Sequence, residues 1–290
     1  MPELPEVQTT VNGLNTKVLN RTFVDVWSDW QKMVKRPKSF SIFKKQLIGK
    51  KILKVYRRAK NVAFELSGGY SLLIHMKMTG HLLYGTWSMK HGTYQAIGGG
   101  PLQDKINGYL HIIFFLNNGK MIALSDMRKF AKVELQKTED LLTIFEGLGP
   151  EPLEKNFTFE KFANLFVGRR GKVKQVIMAP EFIAGIGNIY ASEALWEAKI
   201  HPLKDISKLG KKELKALYMA IRKVLALGVE FGGDSFSDYR DVDGKKGEFE
   251  GKKKVYQRED EPCFRCKTPI KRLVIGARSS FFCARCQVLK

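Results

Sequence analysis

All four cysteines of the chain fall in one pattern, Cys263-x2-Cys266-x16-Cys283-x2-Cys286, and no other feature narrows the fold of its stretch so far. Two such knuckles suit a tetrahedral zinc ion, each pair held by a tight turn at the base of a β-hairpin. The competing reading is two disulfides, which need an oxidising compartment that nothing else in the sequence supports. A zinc ribbon taken alone says only that a small hairpin module is stapled.

The rest of the chain argues for a polyanionic partner. Fifty Lys+Arg stand against 29 Asp+Glu, a net charge of +21 over 290 residues, which favours nucleic acid first and an anionic membrane surface second. No apolar run approaches the roughly 18 residues of a spanning helix, and a basic-then-apolar secretory start is missing. The reading is a soluble intracellular protein without a membrane partner.

The hydrophobic pattern changes character along the chain. An opening helix over 3–14 is followed by short β-rich runs at 22–27, 52–56, 61–66, 71–75, 110–116, 121–124 and 131–135, separated by turn signals such as Ser67-Gly68-Gly69 and Asn117-Asn118-Gly119. This is the pattern of an antiparallel sandwich. From Thr158 apolar residues recur at three-to-four spacing over 159–166, 187–198 and 211–229, which predicts helices. Residues 232–254 then become rich in Gly, Asp and Lys and read as a mobile loop or hinge. Gly98-Gly99-Gly100-Pro101 reads as an exposed loop, and residues 84–108 are the hardest to place. The fold class expected is α+β: a sandwich domain with its opening helix at 1–150, a helical domain with a loop at 151–254, and the ribbon at 255–290.

The start of the chain, Met1-Pro2-Glu3-Leu4-Pro5-Glu6, carries a second chemical signal. Removal of Met1, favoured by a small second residue, would expose a proline secondary amine. An α-amino group has a reference pKa of roughly 7.7–8.0, so it is a ready nucleophile near neutrality. Its attack on a sugar C1′ gives a cationic iminium, an electron sink that acidifies the neighbouring carbon. Glu3 and Glu6 place carboxylates beside it. The same residues also simply open a helix well, with proline and acids in the first turn.

Pro2-Glu3-Leu4-Pro5-Glu6-Val7 resembles the N-terminal signature of the formamidopyrimidine-DNA glycosylase (Fpg) and endonuclease VIII family, and Leu4 is closer to the Fpg branch. Arg57-Arg58-Ala59-Lys60 resembles the family's strand-end signature, which implies that Lys60 points into the lesion site. His75-Met76-Lys77-Met78-Thr79-Gly80 and Asp126-Met127-Arg128-Lys129-Phe130 resemble the loops that fill the hole left by an extruded nucleotide. The resemblance makes Met78, Arg128 and Phe130 the void fillers and His75 a phosphate contact. By themselves, a Met and a Phe in β-rich sequence read as core. The chain departs from the common pattern at Lys77, Met127 and Lys129, which puts the loop geometry in question.

Gly185-Ile186-Gly187-Asn188-Ile189-Tyr190-Ala191 looks superficially like a dinucleotide motif but lacks a parallel-sheet context. It resembles the family's helix-two-turn-helix, which implies that Asn188 and Lys174 bind phosphate. A plain helix cap is the alternative. Arg278 resembles the finger arginine, and a guanidinium on a braced hairpin tip suits phosphate. The stretch 232–247 resembles the loop that closes over an extruded purine. Together these imply a bifunctional DNA glycosylase and AP lyase excising 8-oxoguanine and formamidopyrimidines from duplex DNA in base excision repair. Pro2, Glu3 and Lys60 would be catalytic, Glu6 would orient the opening helix, and β,δ-elimination would cut the strand. The implied protein is a bacterial-type, cytoplasmic, nucleoid-associated monomer with one structural zinc. The alternatives are an endonuclease VIII-like enzyme for oxidised pyrimidines and a non-catalytic zinc-ribbon nucleic-acid-binding protein.

Overall fold

The computed structural model describes residues 1–235 and 238–289, with the backbone alone at Leu142. Two compact units form. One contains Met1–Glu146 and Phe231–Glu250, the other Gly147–Glu230 and Gly251–Lys290.

In chain order the first unit holds α1 (Leu4–Asn15), β1 (Phe23–Ser28), β2 (Val34–Arg36), α2 (Phe40–Leu47), β3 (Ile52–Arg58), β4 (Asn61–Leu66), β5 (Tyr70–His75), β6 (His81–Gly85), β7 (Trp87–Lys90), β8 (Thr93–Ala96), β9 (Leu110–Leu116), β10 (Met121–Ser125), β11 (Lys132–Lys137) and α3 (Leu141–Phe145). Two sheets result, ordered β1-β9-β10-β6 and β2-β11-β5-β4-β3. All pairings are antiparallel except β2 on β11. Period-two alternation puts Val26, Ile112, Phe114, Ile122 and Leu124 of one sheet and Val55, Val62, Phe64, Leu72, Ile74 and Val133 of the other into one shared core. Val7, Val11 and Leu14 of α1 and Phe43 and Leu47 of α2 join it.

The outer faces are covered too. Ile113 and Ala123 on one sheet pack under Trp87 of β7 with Tyr94 of β8. Ala63 and Leu73 on the other pack under Leu141 of α3. Burial on both faces explains why β9 reads as an almost unbroken apolar run rather than an alternation. Residues 84–108 are therefore structured: the β7–β8 hairpin, the exposed glycines 98–100, and short turns at Pro101–Gln103 and Lys105–Gly108.

The second unit holds α4 (Phe159–Asn164), α5 (Val173–Ile177), α6 (Asn188–Glu197) and α7 (Lys211–Glu230), then a hairpin of β12 (Lys271–Ile275) and β13 (Arg278–Phe282). Phe157, Phe162, Phe166, Phe182 and Tyr218 form a chain of edge-on and tilted ring contacts around α4 and α7. Among the described residues, no helix is long and apolar enough to cross a membrane.

Candidate active site and nucleic-acid interface

The N-terminal residues are organised by a reciprocal capping box. The Glu6 carboxylate accepts the Glu3 N–H at 2.7 Å, and the Glu3 side chain accepts the Glu6 N–H. Such a box satisfies two of the helix's orphan donors. Pro2, Glu3 and Glu6 are all buried, while Met1 is exposed. Glu6 has a further partner: its second oxygen accepts the Asp234 N–H, also at 2.7 Å. A Cβ on Gly233 would come within 2.7 Å of that oxygen, and Gly233 has φ +83°, so glycine is required there on both counts.

Lys60 sits with Ala59 in a two-residue turn between β3 and β4, where Arg58 pairs with Asn61. Two side-chain bonds lay α1 along β3: Asn15 Nδ2 donates to Val55 O at 2.8 Å, and Arg57 Nε donates to Gln8 Oε1 at 3.0 Å. The order of these contacts runs the helix start and the Ala59–Lys60 turn toward the same end of the pair.

His75 closes β5 opposite Asn61 and Lys132. Burial, followed by the charges of Lys77, Lys60 and Lys132, lowers its pKa to about 4. The Lys77 N–H donates to His75 Nδ1 at 3.0 Å, so the neutral ring carries its proton on Nε2. A neutral imidazole with a defined N–H is a hydrogen-bond donor to phosphate rather than a counter-ion.

The Met78 and Arg128–Phe130 loops are fastened together by Asp126, which is fully buried. Its carboxylate accepts the Thr79 hydroxyl, the Phe130 N–H at 2.7 Å and the Ala131 N–H at 2.8 Å. Thr79 belongs to the Met78 loop, so one carboxylate sets both. Met78 and Phe130 are 42% and 51% exposed, and the Arg128 guanidinium lies 4.7 Å from the Phe130 ring centroid. The departures at Lys77 and Lys129 are accommodated at left-handed φ of +58° each. Lys77 keeps a conformation that favours glycine, so the loop is preserved at some cost. Met127 is exposed, and Lys129 Nζ lies 4.6 Å from the Trp30 ring centroid.

In the second unit, Asn188 Nδ2 and Lys174 Nζ converge on the Ser279 carbonyl at 2.9 and 3.3 Å. Lys174 also donates to Ser192 Oγ at 2.8 Å and is 1% exposed. Arg278, next to Ser279, is exposed beside the two-residue Gly276–Ala277 turn, both residues at positive φ. A Cβ on Gly276 would come within 2.7 Å of Gln175 Nε2, so α5 and the hairpin tip pack closely. Glu193 of α6 accepts the N–H groups of Lys254, Val255 and Tyr256 at 2.7–2.9 Å. That bond set ties the helix to the chain entering the ribbon.

The four cysteine sulfurs all lie within 4.8 Å of one another. Cys266–Cys283 and Cys263–Cys286 are 3.4 and 4.0 Å apart. A tetrahedron with Zn–S near 2.3 Å needs S···S of about 3.8 Å, whereas a disulfide needs about 2.05 Å. The residues fit one zinc ion, and neither of these pairs stands at disulfide distance. The Trp196 indole N–H donates to Cys263 Sγ at 3.5 Å, a bond that orients one ligand.

Comparison with known proteins agrees at every stage of the chain. Residues 1–133 match the formamidopyrimidine-DNA glycosylase N-terminal domain, 148–240 its H2TH domain, and 260–288 a zinc finger found in FPG and IleRS. A formamidopyrimidine-DNA glycosylase of Chloroflexus aggregans is 39% identical over 290 residues, covering 100% of this chain and 99% of that relative. The chain belongs to the formamidopyrimidine-DNA glycosylase family. A solved Lactococcus lactis FPG mutant in complex with Fapy-dG-containing DNA superposes with TM-score 0.86 at 29% identity, covering 99% of this chain and all of that one. A MutM structure with DNA containing carbocyclic 8-oxo-G gives TM-score 0.85, also at 29% identity, with 99% and 100% coverage.

Three features escaped the sequence reading. Asp126 was visible in its motif, but nothing marked it as the residue that joins two loops. Glu193 and the Asp104–Arg240 pair, at 3.0 Å, bridge positions too distant in sequence for any local signal. The stretch read as a mobile loop is, among its described residues, well anchored: Tyr239, Arg240, Val242 and Phe249 are all buried. Phe236 and Ser237, part of the loop expected to close over a purine, lie outside the described residues.

Proposed function

We propose that this protein is a bifunctional DNA glycosylase and AP lyase that removes oxidised purines, formamidopyrimidines and 8-oxoguanine, from duplex DNA. Family membership across the full chain supports this reading. The observation that carries the mechanism is the buried Pro2–Glu3–Glu6 arrangement at the start of α1. With Met1 in place the Pro2 nitrogen is an amide; its removal uncovers a secondary amine already held against the capping box.

In the proposed reaction the Pro2 nitrogen bonds to C1′ as the C1′–base bond breaks, and the base leaves with a proton. Glu3 delivers a proton to the opening sugar ring and then handles protons at the iminium. The cationic iminium acidifies C2′, and loss of that proton expels the 3′-phosphate; a second elimination expels the 5′-phosphate. Lys60, at the turn beside the helix start, assists at the extruded nucleotide. Met78, Arg128 and Phe130 fill the vacated space, and His75 donates Nε2–H to a phosphate. Lys174, Asn188 and Arg278 surround Ser279 and form a phosphate-gripping cluster. Because Lys174 is buried, its contribution is to hold that carbonyl and supply charge, with Arg278 as the outermost donor.

Zinc held by Cys263, Cys266, Cys283 and Cys286 braces the hairpin that presents Arg278; its role is structural. The division into a catalytic sandwich at 1–150, a helix-two-turn-helix region at 151–254 and a ribbon at 255–290 is part of the same proposal, as is a monomer acting in the cytoplasm on the nucleoid. Borohydride reduction during turnover of a duplex carrying 8-oxoguanine opposite cytosine tests the chemistry. A covalent adduct mapping to the processed N-terminus is expected. Attachment at a lysine, or full activity in protein retaining Met1, would overturn the assignment of Pro2.

A further inference from the structure

The stretch at residues 84–108 has no part in the chemistry above, yet its far end makes specific buried contacts with the 231–250 segment. Arg240, 4% exposed, donates through Nε and Nη2 to Asp104 Oδ2 at 3.2 and 3.0 Å, and its Nη1 donates to the carbonyl of Tyr239 at 2.9 Å. Asn107, 1% exposed, uses its amide as a three-way joint. It donates to Pro101 O at 2.7 Å and to Gly244 O at 3.2 Å, and its Oδ1 pairs with His81 Nε2 at 2.9 Å. Burial lowers the His81 pKa to about 4, so the ring is neutral and donates here.

Steric fit reinforces these bonds. A Cβ on Gly244, at φ +81°, would meet Asn107 Nδ2 at 2.7 Å and the Pro101 carbonyl carbon at 2.9 Å. Between the two attachments, the Tyr84 N–H donates to Val242 O at 2.7 Å, and Val242 packs so close to α1 that a Cβ on Gly13 would clash with it at 2.5 Å. Upstream, Asp234 is bonded to Glu6, and the Tyr239 hydroxyl donates to Glu6 O at 2.8 Å. The segment is thus held to α1 through Asp234, Tyr239 and Val242 and to the 84–108 stretch through Arg240, Val242 and Gly244.

We propose that Asp104 and Asn107 are positioning residues that fix the Tyr239–Gly247 limb of the segment reading the extruded base. They make excision of a damaged purine, but not strand cleavage at a site already lacking its base, depend on the 84–108 segment. This rests on the function proposed above. The physical reason is that two donors of the almost wholly buried Arg240 guanidinium converge on one Asp104 oxygen while a third holds the Tyr239 carbonyl; removing the carboxylate withdraws the charged acceptor that sets the guanidinium, and with it the Tyr239 backbone, in place.

The experiment compares Asp104→Ala with the double variant Asp104→Ala/Arg240→Met, which also removes the buried cation and guards against simple unfolding, and with Asp104→Glu, which retains a carboxylate. Single-turnover excision of a formamidopyrimidine and nicking of a preformed abasic site are measured on the same preparations, with hydrogen exchange over 238–247. Excision should fall roughly ten- to a hundredfold in Asp104→Ala and in the double variant, the scale of a small misplacement at a reacting centre. Nicking should stay within about twofold, exchange should accelerate in that limb, and Asp104→Glu should recover most of the excision. Equal losses in both activities, or unchanged excision, would overturn the proposal. If the unaltered protein excised no oxidised purine, the functional reading would fail. Unchanged exchange in Asp104→Ala would then sink the anchor separately.

Discussion

The Met78 and Phe130 loops of the first unit and the Arg278 hairpin of the second each present exposed side chains, but they are built by opposite means. Around Met78, Arg128 and Phe130 the backbone is irregular, and its order comes from one buried carboxylate, Asp126, that accepts from both loops. Around Arg278 the backbone is a regular two-stranded hairpin whose base is closed by four thiolates. A carboxylate organiser contributes a few kcal/mol and fails locally. A metal organiser couples its whole module to folding, because the site does not exist in the unfolded chain.

That contrast can be broken first at the metal. Cys283→Ser should unfold the ribbon and abolish measurable specific DNA binding, since structural zinc in small modules contributes about 10–16 kcal/mol. The thermal transition of the sandwich should stay in place. A loaded ribbon in this variant, seen by metal analysis and circular dichroism, would remove zinc from the organising role. Asp126→Ala comes next. Losing the acceptor of the Thr79 hydroxyl and of the Phe130 and Ala131 N–H groups should destabilise the first unit by about 3 kcal/mol, while zinc content stays at one per chain. If denaturant unfolding moved by less than a third of that, the carboxylate would not be the organiser.

Arg128→Ala probes what the wedge reads. Arginine offers only donors, which suit the O2 and N3 acceptors of an orphan cytosine, whereas adenine turns an amino donor to the same region. One such contact is worth about 1–3 kcal/mol of discrimination, so faster excision opposite cytosine than opposite adenine is expected, with most of that ratio lost in the variant. Single-turnover rates on the two duplexes decide it. The smallest effect belongs to Lys77→Gly. Relief of a left-handed non-glycine residue should stabilise the first unit by up to about 1 kcal/mol, visible as a small rise in its unfolding midpoint. A loss of stability would show that the lysine side chain contributes more than its backbone costs.

The strands of the sandwich were legible because local alternation and glycine turns encode them: 61–66 and 110–116 fall where β4 and β9 form. α7 was legible as a one-sided apolar stripe, and α6 also forms where a helix was read although it is buried on nearly every side. β2 was not legible, since three residues pairing in parallel with β11 leave no periodic trace. β6 was hidden between two turns, and β7–β8 by the glycines beside it. The cysteine site was readable from spacing alone. Glu193 and Asp104 were not, because each acts on groups that folding, not sequence proximity, brings near; Asp126 accepts from its neighbours Phe130 and Ala131, but its bond to the other loop, through Thr79, spans 47 positions. The 231–250 segment misled for the same reason: its composition is that of a free loop, and its order comes from partners more than a hundred residues earlier, such as Asp104 for Arg240 and Glu6 for Asp234.

The Glu6–Asp234 bond also dictates an order of events during synthesis. Its partners are separated by 228 positions, and the first compact unit includes Phe231–Glu250. A nascent chain that has emerged only through residue 146 can pair its strands, yet it lacks the peptide N–H that completes the Glu6 carboxylate. Long-range closure of this kind is slow relative to local pairing, and domains otherwise tend to fold from the N-terminus as they emerge. The ribosome-bound half-protein therefore carries an unfinished N-terminal cap. On the chemistry proposed for Pro2, the amine reaches its final surroundings only when nearly the entire polypeptide has been made.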